Sequence, residues 1–148
     1  MTKEKELALG FKLVRINTEE FAIIEEAFDK KESSGLSTHV QFGYNFDKKA
    51  IAVNCKFQFQ QKKKPFLIIA AQCIFEMEAK AWENLADNGQ KKITIPVGFA
   101  SHLAMITVGT IRGILHEKTQ NTEFNRFILP PVDLTRIIKD DIVLELSA

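Results

Sequence analysis

Alternating apolar and polar residues predict a pair of neighbouring β-strands in the first half of the chain. Apolar side chains alternate with polar or small ones over residues 40–46 and again over residues 51–60. Because successive side chains of a strand point to opposite faces, each segment would bury one face and expose the other. Residues 47–49 form a connection of hairpin length between them. The two segments are therefore predicted to pair as an antiparallel hairpin.

Two further segments bring the predicted sheet to four strands. Residues 7–14 also alternate, and their apolar phase shifts at Val14 and Ile16, as it would at a bulge or at a strand end that is apolar on both sides. Residues 21–24 are predicted to resume the strand. Residues 66–77 are apolar on both faces, which is typical of a strand covered on both sides. Residues 25–37 have no apolar period and are predicted to be a crossing loop. The four strands are predicted to form an antiparallel meander.

The pattern changes to that of helices after the fourth strand. Residues 79–90 combine good helix formers with an Asn-Gly stop signal, which predicts a short helix. Pro96 fits the first turn of a second helix that runs to about Glu117 and is apolar on nearly every side. The predicted fold class is α+β, with both helices packed on one face of the sheet. The length suits a single domain over residues 1–148.

The long helix predicts self-association. A helix that is apolar all round is either buried or in a membrane, and Pro96, His102 and Arg112 would interrupt a span, so no membrane insertion is expected. Four strands cannot enclose such a helix, so its second face is predicted to meet another copy of the chain. Gly109 and Gly113 would allow two helices to approach closely. The predicted oligomer interface comprises Phe99, Leu103, Ile106, Gly109 and Gly113.

Composition and charge narrow the classes of partner. The net charge is +1 and the lysine pairs and triplets fall where turns are expected, so no nucleic-acid surface is predicted. Twelve Phe residues, against one Trp and one Tyr, supply apolar area without a polar group, as suits a core or a groove for apolar side chains. The charged start of the chain lacks the apolar run of a secretory signal, and Cys55 and Cys73 fit buried free thiols. A cytoplasmic location is expected.

Residues that could support catalysis or hold a metal are scarce in the sequence. His116 and Glu117 begin like a zinc-protease helix motif, but Gln120 stands where the second histidine is required. The sequence contains neither a phosphate-binding glycine loop nor a nucleophile elbow. We therefore predict no catalytic residues, no metal site and no cofactor, and the chain is predicted not to be an enzyme.

Several segments, taken in order, resemble SecB, the bacterial protein-export chaperone family. Residues 11–23, FKLVRINTEEFAI, look like the first strand of that family, and residues 65–75, PFLIIAAQCIF, look like its fourth. Pro96 matches the proline that opens the family's long helix. Residues 111–134, IRGILHEKTQNTEFNRFILPPVDL, are similar to the Arg-Gly, loop and apolar-Pro-Val-Asp segment that follows, with a longer loop here. The resemblance covers about residues 7–134.

The resemblance implies an oligomer and a binding function. It implies a homotetramer, a dimer of dimers whose long helices pack together, which agrees with the burial argument above. It also implies that non-native polypeptides bind in hydrophobic grooves, which accept apolar side chains with little sequence preference. The client-binding residues implied by matching positions are Val40, Phe42, Tyr44 and Phe66. Those added from their place in the predicted elements are Trp82, Leu85, Phe127 and Ile128.

The sequence departs from the family where the motor protein SecA would dock. SecB proteins are typically acidic and bind SecA through acidic residues on the outer face of the sheet. Glu20 matches one such residue and Glu25 lies beside another, so these two are the predicted docking residues. Ile24 and Ile69 stand where two more acids are expected, which would weaken electrostatic docking. Residues 140–148 read as a strand rather than as the family's helix and acidic tail.

Three hypotheses for the function follow. The leading one is an ATP-independent chaperone for non-native polypeptides, with protein export as one version of that role. The alternative is a dedicated chaperone or adaptor for one partner, such as an antitoxin. A hot-dog thioesterase or dehydratase is the third, and it requires a histidine and a carboxylate that converge in a pocket. Hot-dog proteins place their central helix early, between strands, whereas the long helix predicted here follows the sheet.

Overall fold

The computed structural model describes residues 10–145 of the chain. In chain order the elements are β1 (Phe11–Ile23), β2 (Gly35–Asn45), β3 (Ala50–Gln61), β4 (Lys64–Met77), α1 (Ala79–Leu85), β5 (Ala86–Asp87), β6 (Lys92–Ile95), α2 (Val97–Lys118) and β7 (Ile142–Glu145). The first four strands form one antiparallel sheet, here called the large sheet, and β5, β6 and β7 form a second, smaller one. The predicted α+β class, with a four-stranded antiparallel sheet and a long helix, is confirmed.

The strand order of the large sheet differs in one respect from the predicted meander. β2, β3 and β4 are consecutive neighbours, but β1 pairs with β4 rather than with β2, which gives the order β1-β4-β3-β2. The predicted crossing loop makes this connection, and along it the Ile24 N–H donates to Phe66 O at 2.8 Å. The physical reason is that β4 is apolar on both faces, and such a strand is most stable in the interior of a sheet.

β1 is one long strand with two irregularities rather than two separate pieces. Its register on β4 shifts between Leu13 and Arg15 and again between Thr18 and Glu20. The first shift confirms the bulge predicted near Val14, since an extra residue reverses which side chains face the core. The predicted strand residues 7–9 lie outside the described part of the chain.

One face of the large sheet, here called the inner face, packs against α2. The register places Phe57 opposite Ile69 and Ile51 opposite Phe75, and these side chains are all buried completely. Because α2 contacts both β3 and β4, the core lies between the helix and the centre of the sheet. The alternate residues of the same strands form the outer face.

α1 ends at Leu85, five residues before the end of the predicted helix. The chain then enters a short hairpin of β5 and β6, in which Ile93 and Ile95 are fully buried and alternate with less buried neighbours. This hairpin was not predicted, because four residues are too few for a period of two to stand out. It extends the hydrophobic core beyond the large sheet.

α2 begins immediately after Pro96, as predicted, and buries one side against the sheet. Its buried residues are Ala100, Leu103, Ala104, Thr107, Val108, Ile111 and Leu115. By length and composition alone the helix could cross a membrane, a test that the core helix of a soluble protein also passes. Its opposite side is exposed at Met105, Gly109 and Gly113.

The segment after α2 returns along the helix to its beginning. Arg112 fixes the start of this return, because its guanidinium donates to Leu129 O at 2.7 Å and to Pro130 O at 3.0 Å. At the far end the Val97 N–H donates to Asp141 Oδ1 at 2.8 Å, which satisfies a free amide at the helix N-terminus. β7 follows and pairs with β6, so the strand predicted near the C-terminus is confirmed over Ile142–Glu145.

The two cysteines are free and buried in the core, as predicted. Burial, with the neighbouring Cys73, raises the pKa of the Cys55 thiol to about 12. Cys55 therefore stays protonated at neutral pH, and a buried thiol without thiolate character is chemically inert.

Candidate functional site

The inner face of β2 carries a row of half-buried side chains at the edge of the large sheet. The row, here called the β2 row, comprises Leu36, Thr38, Val40, Phe42 and Tyr44. The register places Leu36 opposite Phe59 and Tyr44 opposite Ile51, so the row continues the core surface towards solvent. At about 3.3 Å per residue it is about 27 Å long, enough for eight or so residues of an extended chain.

One end of the β2 row meets a small aromatic cluster. The ring centroids of Tyr44 and Phe46 are 5.5 Å apart, and those of Phe46 and Trp82 are 5.3 Å apart, both edge to face. The Tyr44 hydroxyl donates to Lys91 O at 3.3 Å, and Lys91 Nζ lies 5.5 Å from the Phe46 ring centroid. These contacts tie β2 to the turn before β6. They also hold the exposed edge of the aromatic rings in place.

The other end of the β2 row meets a larger cluster of phenylalanines. Phe127 lies at its surface, with ring centroids 5.4 Å from Phe59, 5.1 Å from Phe66 and 5.7 Å from Phe28. The Arg126 guanidinium lies 5.2 Å from the Phe127 ring centroid. The apolar surface therefore runs along one strand edge from one aromatic cluster to the other.

The predicted client-binding residues divide into surface and core positions. Val40, Phe42, Tyr44 and Phe127 are half-buried at or beside the β2 row, and Ile128 is 59% exposed. Phe66, Trp82 and Leu85 are 0%, 3% and 6% exposed, which places them in the core. Residues buried in this way cannot touch a client without rearrangement.

Residues that the sequence reasoning left out also border this surface. Leu36 lies four residues before Val40 and extends the β2 row in that direction. The apolar alternation was not recognised this far because Thr38, which lies between them, is polar. Phe46 and Phe59 were assigned to strands but not to the site. Both belong to the aromatic clusters, and only the fold shows that the clusters lie at opposite ends of one strand.

The outer face of the large sheet carries a row of polar side chains that are hydrogen bonded to one another. Asn17 Nδ2 donates to Gln72 Oε1 at 2.9 Å, and Gln72 Nε2 donates to Asn54 Oδ1 at 3.3 Å. Asn54 Nδ2 in turn donates to Glu19 Oε1 at 3.2 Å. This amide row crosses β1, β4 and β3.

The two predicted docking acids lie apart. Glu20 is on the outer face, where its carboxylate is 3.1 Å from Lys56 Nζ, whereas Glu25 lies on a 3-10 turn beyond the end of β1. Ile69, where a further acid was expected, is completely buried on the inner face. A carboxylate at that position would lie in the core, so this position could not supply an acid to a docking surface on the outer face.

The predicted interface residues of α2 lie on different sides of the helix. Leu103 is 0% exposed because it packs in the core of its own chain, so it cannot contribute to an interface. Phe99 and Ile106 are half-buried, and Gly109 and Gly113 are exposed. The exposed side also carries Met105, which is 61% exposed.

β1 forms the other edge of the large sheet and was not predicted as an interface. Among its residues Leu13, Val14 and Ile16 are 37%, 42% and 47% exposed. A long edge strand with exposed apolar side chains is a template for pairing with another strand.

A histidine and two carboxylates come together in a cavity on the outer face. His39 lines an outer-face cavity together with Glu19, Glu20 and Lys56. This cavity lies on the face of the large sheet opposite α2, whereas a hot-dog enzyme would need these groups beside its central helix. Over residues 10–145 no cluster of His, Cys, Asp and Glu could hold a metal ion.

Comparison with known proteins identifies the fold. No protein-family model matches the sequence, and no curated protein is similar to it in sequence. The SecB-like chaperone Rv1957 of Mycobacterium tuberculosis, solved in complex with a ChAD peptide from the HigA1 antitoxin, is similar in structure. The TM-score is 0.55 at 10% sequence identity, and the match covers 87% of this chain and 95% of that one. The fold is SecB-like. At this identity the likeness extends to the fold alone.

Proposed function

We propose that this protein is an ATP-independent chaperone that binds extended apolar segments of non-native polypeptides along the β2 row. The observation that carries the proposal is the row itself, which is apolar, half-buried and bounded by aromatic clusters at both ends. Unfolded chains expose apolar side chains in no fixed order. Burial of these side chains against a continuous apolar strip lowers the free energy of binding whatever their order in the sequence.

The structural neighbour supports this function at the level of the fold. The neighbour, a SecB-like chaperone, is solved with a peptide from an antitoxin, so a protein of this fold does bind a polypeptide segment. The same complex favours a second candidate, a chaperone dedicated to one partner. The two differ in breadth, because a general chaperone binds many unfolded chains and a dedicated one binds a single sequence tightly.

We place self-association on the edge of β1 and on the exposed side of α2. Exposed Leu13 and Ile16 on an edge strand, and Met105 between Gly109 and His102 on the helix, offer apolar area that a second copy would cover. A homotetramer would use both surfaces. Docking to SecA is not part of the proposed function, because Glu20 is paired with Lys56 and Ile69 is buried.

The test is equilibrium binding to a reduced, carboxymethylated polypeptide that cannot refold, with its native form as the negative control. Micromolar or tighter binding of the unfolded form alone is expected. The variant Phe42→Ser should weaken this binding by about tenfold or more, since burial of one Phe is worth about 1.5–3 kcal/mol. Gln41→Ser, next to it on the outer face, is the matched control and should bind like the wild type. Equal affinities of the two variants would remove the β2 row from the site.

A further inference from the structure

β7 is a short strand that covers apolar surface with only two of its side chains. Ile142 and Leu144 are half-buried and lie opposite Ile95 and Ile93 of β6, whereas Val143 and Glu145 are exposed. The segment thus follows the pattern of an apolar residue at every second position. It forms an edge of the small sheet, since β6 is its one strand partner among the described residues.

The position of β7 brings it to the β2 row. β7 contacts β2. Its last described residue, Glu145, lies opposite Lys92 of β6. The residue before Lys92 is Lys91, whose carbonyl oxygen accepts the hydrogen bond from the Tyr44 hydroxyl. β7 therefore lies beside the Tyr44 end of the row.

β7 is held less firmly than β6, because none of its four residues is fully buried, whereas Ile93 and Ile95 of β6 are. The nearest buried residue before β7 is Ile138, which is 5% exposed, and between Ile138 and β7 the residues Lys139, Asp140 and Asp141 are all exposed. The hydrogen bond from Val97 N–H to Asp141 is the last tether before the strand. Segments with few buried apolar contacts open at low free energy, so β7 can detach without unfolding the large sheet.

We propose that β7 occupies the place of a client segment, and that an extended client displaces it and pairs with the edge of β6 that β7 vacates. The inference rests on the proposed chaperone function. The client segment would be extended, with apolar side chains at alternate positions as at Ile142 and Leu144. Backbone hydrogen bonds to β6 would supply affinity, and the alternate pockets now filled by these two side chains would supply the preference for apolar residues.

The decisive experiment locks β7 in place. Thr94 and Val143 are direct cross-strand partners on the outward side, and directly opposed residues have Cα separations that suit a disulfide. The double variant Thr94→Cys with Val143→Cys is compared in oxidised and reduced form for binding to the carboxymethylated polypeptide. The native cysteines are buried, so oxidation acts on the engineered pair.

The locked form should bind at least about tenfold more weakly than the reduced form, because only the open fraction is competent. Reductant should restore the affinity, and the single variant Val143→Cys should not respond to oxidant. Equal binding in both forms would overturn the displacement of β7 while leaving the chaperone function intact. Failure of the wild type to bind would instead overturn the chaperone function.

A second pair of variants tests the same inference without a disulfide. Leu144→Ser weakens the hold of β7 on the core and should raise client affinity a few-fold, because the site is vacated more often. Val143→Ser changes the exposed neighbour and should leave affinity unchanged. Unchanged or weaker binding by Leu144→Ser would contradict the inference.

Discussion

The inner and outer faces of the large sheet are built from alternate residues of the same strands, yet their surfaces are opposite in kind. On β3 the inner residues Ile51, Val53 and Phe57 are completely buried, whereas the outer residues Asn54 and Lys56 take part in polar contacts. The inner face reaches solvent at the two edges of the sheet. At one edge the β2 row is half-buried, and at the other Leu13 and Ile16 of β1 are 37% and 47% exposed. On the outer face the polar side chains at the centre of the sheet are joined to one another.

This contrast shows where the protein has apolar surface that a partner could cover. An outer face whose amides and charges are already paired gains little from a partner. An apolar edge that is half in water gains about 25 cal/mol for each Å² that a partner covers. The β2 row is therefore the better place for an adaptable binding function, and the predictions below test how separate the two faces are.

The largest effect is expected for a cavity at the centre of the inner face. Phe57→Ala should lower the free energy of unfolding by about 3–5 kcal/mol, because Phe57 is 0% exposed and its loss leaves a void beneath α2. Urea denaturation would measure the change. Gln58→Ala, one residue along on the outer face, should change it by only about 0.5 kcal/mol. Comparable losses for the two variants would mean that the outer face is also part of the core.

A smaller effect is expected in the amide row of the outer face. Gln72→Leu removes the side chain that joins Asn17 to Asn54, and should cost about 1 kcal/mol, since these groups are only partly buried and water can replace the lost partner. Gln58→Leu provides a control at an outer-face position beside this row. If Gln72→Leu were as stable as the wild type, the amide row would have no structural role.

The two faces also show which parts of the fold can be predicted from the sequence alone. The clear alternation of β3 predicted both its strand and its buried residues, and the apolar character of β4 on both faces predicted a covered strand. The pairing of β1 with β4 could not be predicted, because strand order depends on contacts between residues that are about 50 apart in the chain. The shift in phase near Val14 signalled the bulge but not the neighbouring strand.

The candidate site was predicted only in part, for a related reason. Phe66 and Leu103 belong to segments that are apolar on all sides, so no period indicates which side chains reach the surface. Val40, Phe42 and Tyr44 belong to an alternating strand, and all three lie on its inner face as the alternation required. β6 was too short to be recognised, and without it the place of the C-terminal strand beside β2 could not be predicted.

The smallest effect is expected for the ion pair on the outer face. Lys56→Met removes the partner of Glu20, with both side chains more than a third exposed, and exposed pairs contribute about 0–1 kcal/mol. The free energy of unfolding should therefore change little, and client affinity should not change, because the β2 row lies on the opposite face. Lys62→Met removes another exposed ion-pair partner, that of Glu32, and serves as the matched control at a turn. A clear loss of client binding in Lys56→Met alone would contradict the separation of the faces, because it would make the outer face part of the binding surface.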